Sequence, residues 1–169
     1  MAGNEPDAVL NPKFSSPDAA PIEWADAREH VTVAEIYWLT TVREDGRPHV
    51  TPLISVLLDG TFYFCASADE RKARNLVGNP NVVLTTGTNT LAKGLDVVIE
   101  GVATRVSEPT LLHRVADAYV AKYGLEWQFT PRDGLFHHES GDPAQVYAIT
   151  PVTGFGFGRG EFSQTKWQF

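Results

Sequence analysis

Apolar and polar positions alternate through much of this chain, and Asp-Gly pairs punctuate the alternation. In the stretch 45–80, DGRPHVTPLISVLLDGTFYFCASADERKARNLVGNP, two apolar runs flank Asp59-Gly60. Asp-Gly between such runs is a hairpin signal, because both residues tolerate the positive φ that a tight turn requires. An earlier pair, Asp45-Gly46, ends the preceding run, so the pattern predicts three successive antiparallel strands at 35–43, 49–58 and 61–66. The first, EIYWLTTVR, is β-branched and aromatic, with Ile36, Trp38 and Val42 on one face and Tyr37 and Leu39 on the other. Apolar residues on both faces predict a strand covered on both sides. The second contains Pro52, which cannot donate to a ladder. It marks an edge or a bulge, where backbone groups of Val50, Thr51 and Leu53 are free to meet another body, or it guards a bare edge against aggregation. The third stops at Ser67, and a helix over about 69–77 follows, with Arg71, Lys72 and Arg74 in its first two turns.

Further strands are predicted at 81–86 and 96–106, the latter with Val97, Ile99 and Val102 turned inward, around a loop at 87–94. Ser107 is placed to cap a helix running to Tyr123. Its stripe Leu112, Val115, Ala116, Tyr119, Tyr123 has the spacing of a core-facing helix, and Gly124 ends it. Residues 125–144 read as a long loop carrying Trp127, Phe129, Phe136 and His137-His138-Glu139. A strand at 145–149 is broken by Pro151. Then Gly154, Gly156, Gly158 and Gly160 alternate with Phe155, Phe157 and Arg159. At a period of two, one face is bare glycine, which invites close approach by a helix, a second subunit or a flat ligand, with packing foremost. The ending EFSQTKWQF reads as a strand whose aromatic and cationic side chains dock on a partner or line a pocket. At the other end, residues 1–21 are polar and carry Pro6, Pro12, Pro17 and Pro21, predicting a loose tail; a weakly amphipathic helix over 22–34 begins the folded domain, 22–169. Mostly antiparallel strands with inserted helices predict a small closed or partly closed barrel, mainly β, rather than a doubly wound sheet.

Length and charge narrow the function. At 169 residues the chain suits one domain with one sizeable core. Its formal charge of −7, with no basic run longer than Arg71-Lys72, argues against a nucleic-acid binder. No apolar run approaches the ~20 residues that span a bilayer, and no secretory leader is legible, so no membrane association is expected. A single cysteine, Cys65, excludes an intrachain disulfide framework, fits the reducing cytoplasm and reads as packing rather than a nucleophile. Adjacent histidines do not converge on one point as an i,i+4 pair does, so no metal site is predicted at His137-His138. Neither a dinucleotide-binding G-x-G-x-x-G after the first strand nor a P-loop is present.

One junction suits an anion. A strand that feeds a cation-bearing helix through Ser67 presents unpaired N–H groups, a favourable dipole and Arg71 and Lys72 to a phosphate. The same residues also satisfy a plainer reading: Ser67 and Glu70 form an S-x-x-E capping box, and Glu70 and Arg74 an i,i+4 ion pair.

The ordered set TTVREDGRPHVTPL, FYFCAS, RKARNL and GFGFGRGEFSQTKWQF resembles the pyridoxamine 5′-phosphate oxidase-like split β-barrel superfamily, nearest to its actinobacterial branch that uses flavin or the deazaflavin coenzyme F420. The likeness covers 35–169. It implies a split, FMN-binding-like β-barrel that dimerises with two cofactor sites at the subunit interface and acts as an oxidoreductase. The cofactor would be F420, alternatively FMN, and hydride would pass to an electron-poor C=C or C=O of a small-molecule substrate. A non-catalytic flavin or F420 binder and a structural domain with no ligand are the competing readings. By the same resemblance the ring lies along His49, Val50, Thr51, Pro52 and Leu53, and the phosphate is held by Ser67, Arg71 and Lys72. Asn75 steadies the helix, and Lys166, Trp167 and Phe169 reach toward a cofactor, in their own subunit or across the dimer. Arg43, Arg47 and Arg159 are candidates to lengthen a cationic groove. The ending Lys-Trp-Gln-Phe departs from the Arg-Leu-x-Pro type of the true pyridoxamine 5′-phosphate oxidases, which speaks against pyridoxamine phosphate as substrate. No catalytic side chain is assigned.

Overall fold

The computed structural model describes residues 5–169, and among them eleven strands form one antiparallel sheet that curls around its own core. In chain order they are β1 (Asp7–Leu10), β2 (Tyr37–Val42), β3 (Pro48–Leu53), β4 (Val56–Leu58), β5 (Thr61–Ser67), β6 (Asn81–Gly87), β7 (Gly94–Val106), β8 (Thr130–Arg132), β9 (Leu135–His137), β10 (Ala144–Arg159) and β11 (Ser163–Gln168). Three helices are inserted, α1 (Trp24–Val33), α2 (Arg71–Gly78) and α3 (Pro109–Tyr123), and short 3-10 turns occupy Pro12–Phe14 and Leu125–Trp127. The strand order is β1-β11-β10-β7-β6-β2-β3, with β5 also pairing β10. This is the split barrel.

The long strand β10 is the spine. Its first half lies between β5 and β7, its second half between β11 and β7, and the register shifts between Pro151 and Thr153. Pro151 therefore bends the strand through a bulge instead of ending it; a residue that cannot donate to the ladder fits where pairing is already irregular. β5 and β10 separate two cores. Phe62, Phe64, Tyr147 and Ile149 point into the barrel with Leu39, Leu84, Ile99 and Trp167, while Tyr63, Val146 and Ala148 point toward Leu112, Val115 and Tyr119 of α3 and Phe136 of β9. A strand buried on both faces reads as a continuous apolar run, and FYFCA is such a run. Cys65 packs against the second core, and burial pushes its thiol up to about 12, so it is not a nucleophile at neutral pH.

Several sequence expectations are corrected. The strand predicted at 35–43 is covered on one face: Tyr37, Leu39 and Thr41 are buried, but Trp38 is 51% exposed and Ile36 49%. The single strand predicted at 49–58 is two. Ser55 interrupts it because its N–H donates to the Tyr123 phenol and its carbonyl accepts from Tyr123 and Lys122, so α3 takes the groups a ladder would use. Lys122 is held between the Tyr37 and Tyr123 rings, and burial lowers its ammonium to about 8. Val102 faces outward, opposite in parity to the buried Val97, Ile99 and Ala103. The cap of α3 is Glu108, whose carboxylate accepts from Thr110 and Leu111 N–H at 2.8 and 2.6 Å, because Pro109 takes the first helical position and moves the cap one residue past Ser107. The loop predicted at 125–144 contains the β8–β9 hairpin, turned at Asp133-Gly134 with φ of 55° and 74°. The tail predicted at 1–21 is ordered where it is described: β1 adds to β11, and Asn11 N–H donates to Gln164 O at 2.7 Å. Backbone pairing with a sheet edge supplies the order that its few apolar side chains do not; residues 1–4 lie outside the described residues.

The glycine face of β10 meets the chain's own indole. A Cβ on Gly154 would stand 2.9 Å from Trp167 Cε3, and one on Gly156 2.4 Å from Trp167 Cη2. Trp167 is fully buried, meets the edge of Trp24 with ring centroids 5.3 Å apart, and donates from Nε1 to Ile22 O at 2.9 Å. The close-approaching body is thus neither subunit nor ligand, and α1 is locked to the C-terminal strand.

Candidate functional site

The junction of β5 with α2 and the neighbouring edge β3 form one basic corner. Strand parity places Leu39 and Thr41 of β2 on one face, Thr41 pairs directly with His49, and Arg43 follows in the turn after β2, its N–H donating to Arg47 O at 2.9 Å. Thr51 lies two residues along β3 on the His49 face, whereas Val50 and Pro52 point outward and are exposed. α2 packs over this face with Lys72, Ala73, Asn75 and Leu76 buried. Asn75 Nδ2 donates to Thr41 Oγ1 at 2.9 Å, and that hydroxyl donates to His49 O at 3.4 Å, so Asn75 ties α2 to both strands, as expected of a residue that steadies the helix.

The capping box forms by half. Ser67 N–H donates to Glu70 Oε1 at 2.9 Å, but the helix begins at Arg71, and the Ser67 hydroxyl does not cap it. Nor does Glu70 pair with Arg74: standing just before the helix, it reaches Lys72 with its second carboxylate oxygen. Lys72 is 9% exposed, while Arg71 and Arg74 stand outside, and Arg43, Arg71 and Arg74 have no acidic partner among the described residues. A cleft of about 680 Å³ runs between Arg43, Glu44 and Gly46 on one side and Arg71, Arg74, Asn75 and Asn79 on the other.

Three polar atoms at this corner are buried without a partner: Arg43 Nε, His49 Nδ1 and Thr51 Oγ1. Buried polar groups are normally satisfied, and these orphans, close to cations without acidic partners, are a donor set that an anionic, hydrogen-bonding group would complete. Burial, then Arg43, Arg71 and Lys72, hold the His49 imidazole below its ordinary range, so it is neutral at pH 7. A phosphate group fits this donor set.

The structure does not bring every predicted residue here. β3 is an edge strand without a register shift, which selects the edge reading of Pro52 over the bulge, and Leu53 turns back against the barrel core. Trp167 is inside the core and does not face a ligand. Phe169 is 42% exposed and packs its ring on Trp24 at 4.7 Å. Lys166 is exposed and lines a separate cleft of about 520 Å³ with Phe155, Phe157 and Val9. Arg159 is not available to a groove: both guanidinium ends meet Asp96, at 2.7 and 3.1 Å. Arg47 lies 4.0 Å from Asp45 on the turn. His138 is tied to the loop through Glu126 O at 2.8 Å, and among the described residues no group of three or more His, Cys, Asp or Glu is arranged around a metal.

With this geometry in place, residues 24–155 match the model of the family described as pyridoxamine 5′-phosphate oxidase. The chain belongs to that family. No curated protein matches it. Among solved structures it resembles a conserved hypothetical protein from Mycobacterium tuberculosis (23% identity, 91% of this chain and 89% of that one, TM-score 0.66). It also resembles a FAD-binding protein from Mesorhizobium loti (16%, 88% and 96%, 0.60) and a heme binding protein from Mycobacterium smegmatis (19%, 82% and 55%, 0.66). This chain therefore spans 55% of the length of the heme binding protein. At these identities the likeness is one of fold, and the fold serves both flavin-binding and heme-binding proteins. No helix among the described residues is long and apolar enough to cross a membrane.

Proposed function

We propose that this member of the family is an oxidoreductase that carries coenzyme F420, or alternatively FMN, with the cofactor phosphate seated at the α2 corner. The observation that carries this reading is a cleft that brings Arg43 opposite the unpaired Arg71 and Arg74, with Arg43, Arg71 and Lys72 also close to His49, whose Nδ1 is orphaned, as are Arg43 Nε and Thr51 Oγ1. When bound, the ring system supplies hydride transfer to an electron-poor C=C or C=O. The chain's own work is to hold and orient. Arg43, Arg71 and Lys72 bind the phosphate, Ser67 offers its free hydroxyl, and the edge of β3 from His49 to Leu53 offers unpaired backbone groups to the ring edge. The cleft continues past Arg74 toward Asn79, a length that favours the acidic tail of F420. Purified protein titrated with F420, FMN and haem is expected to bind F420 or FMN with a rise in melting temperature. Binding of haem alone would overturn the reading; tight cofactor binding without turnover of enones or quinones would leave a carrier instead of an enzyme.

The dimer belongs to the same proposal. The register places Val9, Lys166, Phe155, Val98, Thr85, Trp38 and Pro52 in one row across seven strands, all on the outer face. Trp38 is half exposed in that row, Val50 and Val152 stand open nearby, and a second copy of this face is the occupant we infer. In that assembly Lys166 and Phe169 reach a site only through the neighbouring subunit. Trp38→Glu is expected to turn a dimer into a monomer in light scattering, with cofactor affinity lowered; an unchanged mass would place the interface elsewhere.

A further inference from the structure

We propose that His49 is a proton-linked binding residue: neutral in the free protein, it takes up a proton as a phosphate group settles beside it, so the complex holds more protons than its separated parts. The inference rests on the phosphate seat proposed above and adds to it a residue whose charge changes with occupancy.

The geometry leads there. His49 Nδ1 is closed off from water and has no hydrogen-bond partner, an arrangement that costs free energy unless something else completes it. Thr51 Oγ1 is orphaned on the same face of the same strand, and Arg43 Nε is orphaned just past the end of the adjacent strand. The charged groups around His49 are mostly positive: Arg43 from the turn after β2, and Arg71 and Lys72 from α2. Of the nearby acids, Glu70 is occupied by Ser67 N–H and Lys72, and Glu44 lines the cleft next to Arg43. No carboxylate is paired with the imidazole among the described residues, so a proton placed on His49 in the empty site would add another positive charge to a cluster of cations.

An arriving phosphate reverses that field. An opposite charge within about 4–6 Å commonly raises the proton affinity of such a group by about one to three pK units. The imidazolium donates from both nitrogens and brings a positive charge to the phosphate, whereas the neutral ring donates from one nitrogen only and brings no charge, so the phosphate favours the protonated form. The sign follows. The bound state has the higher His49 pKa, so affinity rises as pH falls from about 8 toward the free-state value. The phosphate works against this below about pH 6, where it takes up its own second proton in solution and must release it on binding. The linkage is therefore read most cleanly near neutral pH.

Isothermal titration of the full chain with FMN at pH 7.0, in two non-phosphate buffers of different ionisation enthalpy, measures the proton count. Uptake on the order of half a proton per FMN is expected. In His49→Gln the uptake should vanish while FMN still binds, with affinity about 5–10-fold weaker at pH 6.5 and close to wild type at pH 8.5. Equal heats in both buffers, or uptake that persists in His49→Gln, overturns the proton linkage and leaves the phosphate seat standing. Absence of binding by FMN and also by F420 overturns the seat and the inference together. Should His49→Gln fail to fold, the imidazole resonances of histidine-labelled wild type decide: one must titrate below about 6.5 in the free protein and above it with cofactor bound, and no such shift overturns the proposal.

Discussion

Lys72→Met is expected to weaken FMN or F420 binding by about 100-fold while the melting temperature moves by only a few degrees. The asymmetry comes from where the side chain lies. Its stem is buried with Ala73 and Leu76 against the barrel, so an unbranched apolar residue of similar length keeps the packing. Its ammonium contacts Glu70, whose other oxygen accepts from Ser67 N–H, so the carboxylate sits at the proposed phosphate seat with its charge offset by the lysine. Removing Lys72 deletes a cation and also uncovers an anion, and both act against a phosphate. Glu70→Gln in the Lys72→Met background should therefore recover a large part of the loss, which a purely additive pair of sites would not. If Lys72→Met binds both cofactors as wild type does, the seat is not at α2.

Gly156→Ala is expected to cost about 3 kcal/mol of stability, a fall of roughly 6–12 °C in melting temperature for a domain of this size. The added methyl would meet Trp167 Cη2 at 2.4 Å and Cζ2 at 3.1 Å. A flexible side chain would swing away, but this indole is fixed at both ends, by Nε1 on Ile22 O and by the edge of Trp24. The backbone of Gly156 cannot retreat either, because β10 is paired there with Thr165 on one side and Val97 on the other. Trp167→Phe removes the clashing ring atoms at the price of a cavity, so the double variant should be less destabilised than the two single losses combined. Thermal unfolding of the three variants tests the assignment; a Gly156→Ala protein as stable as wild type would mean the glycine face is not built around Trp167.

Much of this was legible because it depends on short-range rules. Asp59-Gly60 turns a hairpin with both φ values positive, the α3 stripe from Leu112 to Tyr119 is buried, Gly124 ends that helix at φ 92°, and the glycine alternation of β10 did announce a close approach. One local signal of equal strength was present and unread: Asp133-Gly134 makes the same kind of turn, hidden by the polar composition around it. The site was legible as a set of residue types at a strand-to-helix junction, but its internal pairing was not. Whether Glu70 neutralises Arg74 or Lys72 depends on where the helix starts, and a shift of two residues changes the partner.

The strand or helix character of most of the stretch from 35 on, the Asp59-Gly60 turn and the cationic character of α2 are properties of neighbouring residues, and the sequence by itself determined them. Which face of a strand is covered is a property of what lies across it. Only the tertiary structure decided that Trp38 stands open while Trp167 is sealed, that Arg159 is spent on Asp96 while Arg43 is left unpaired, and that 7–10 is a strand. Each of those outcomes is set by a partner distant in the chain, and no local pattern encodes which partner arrives.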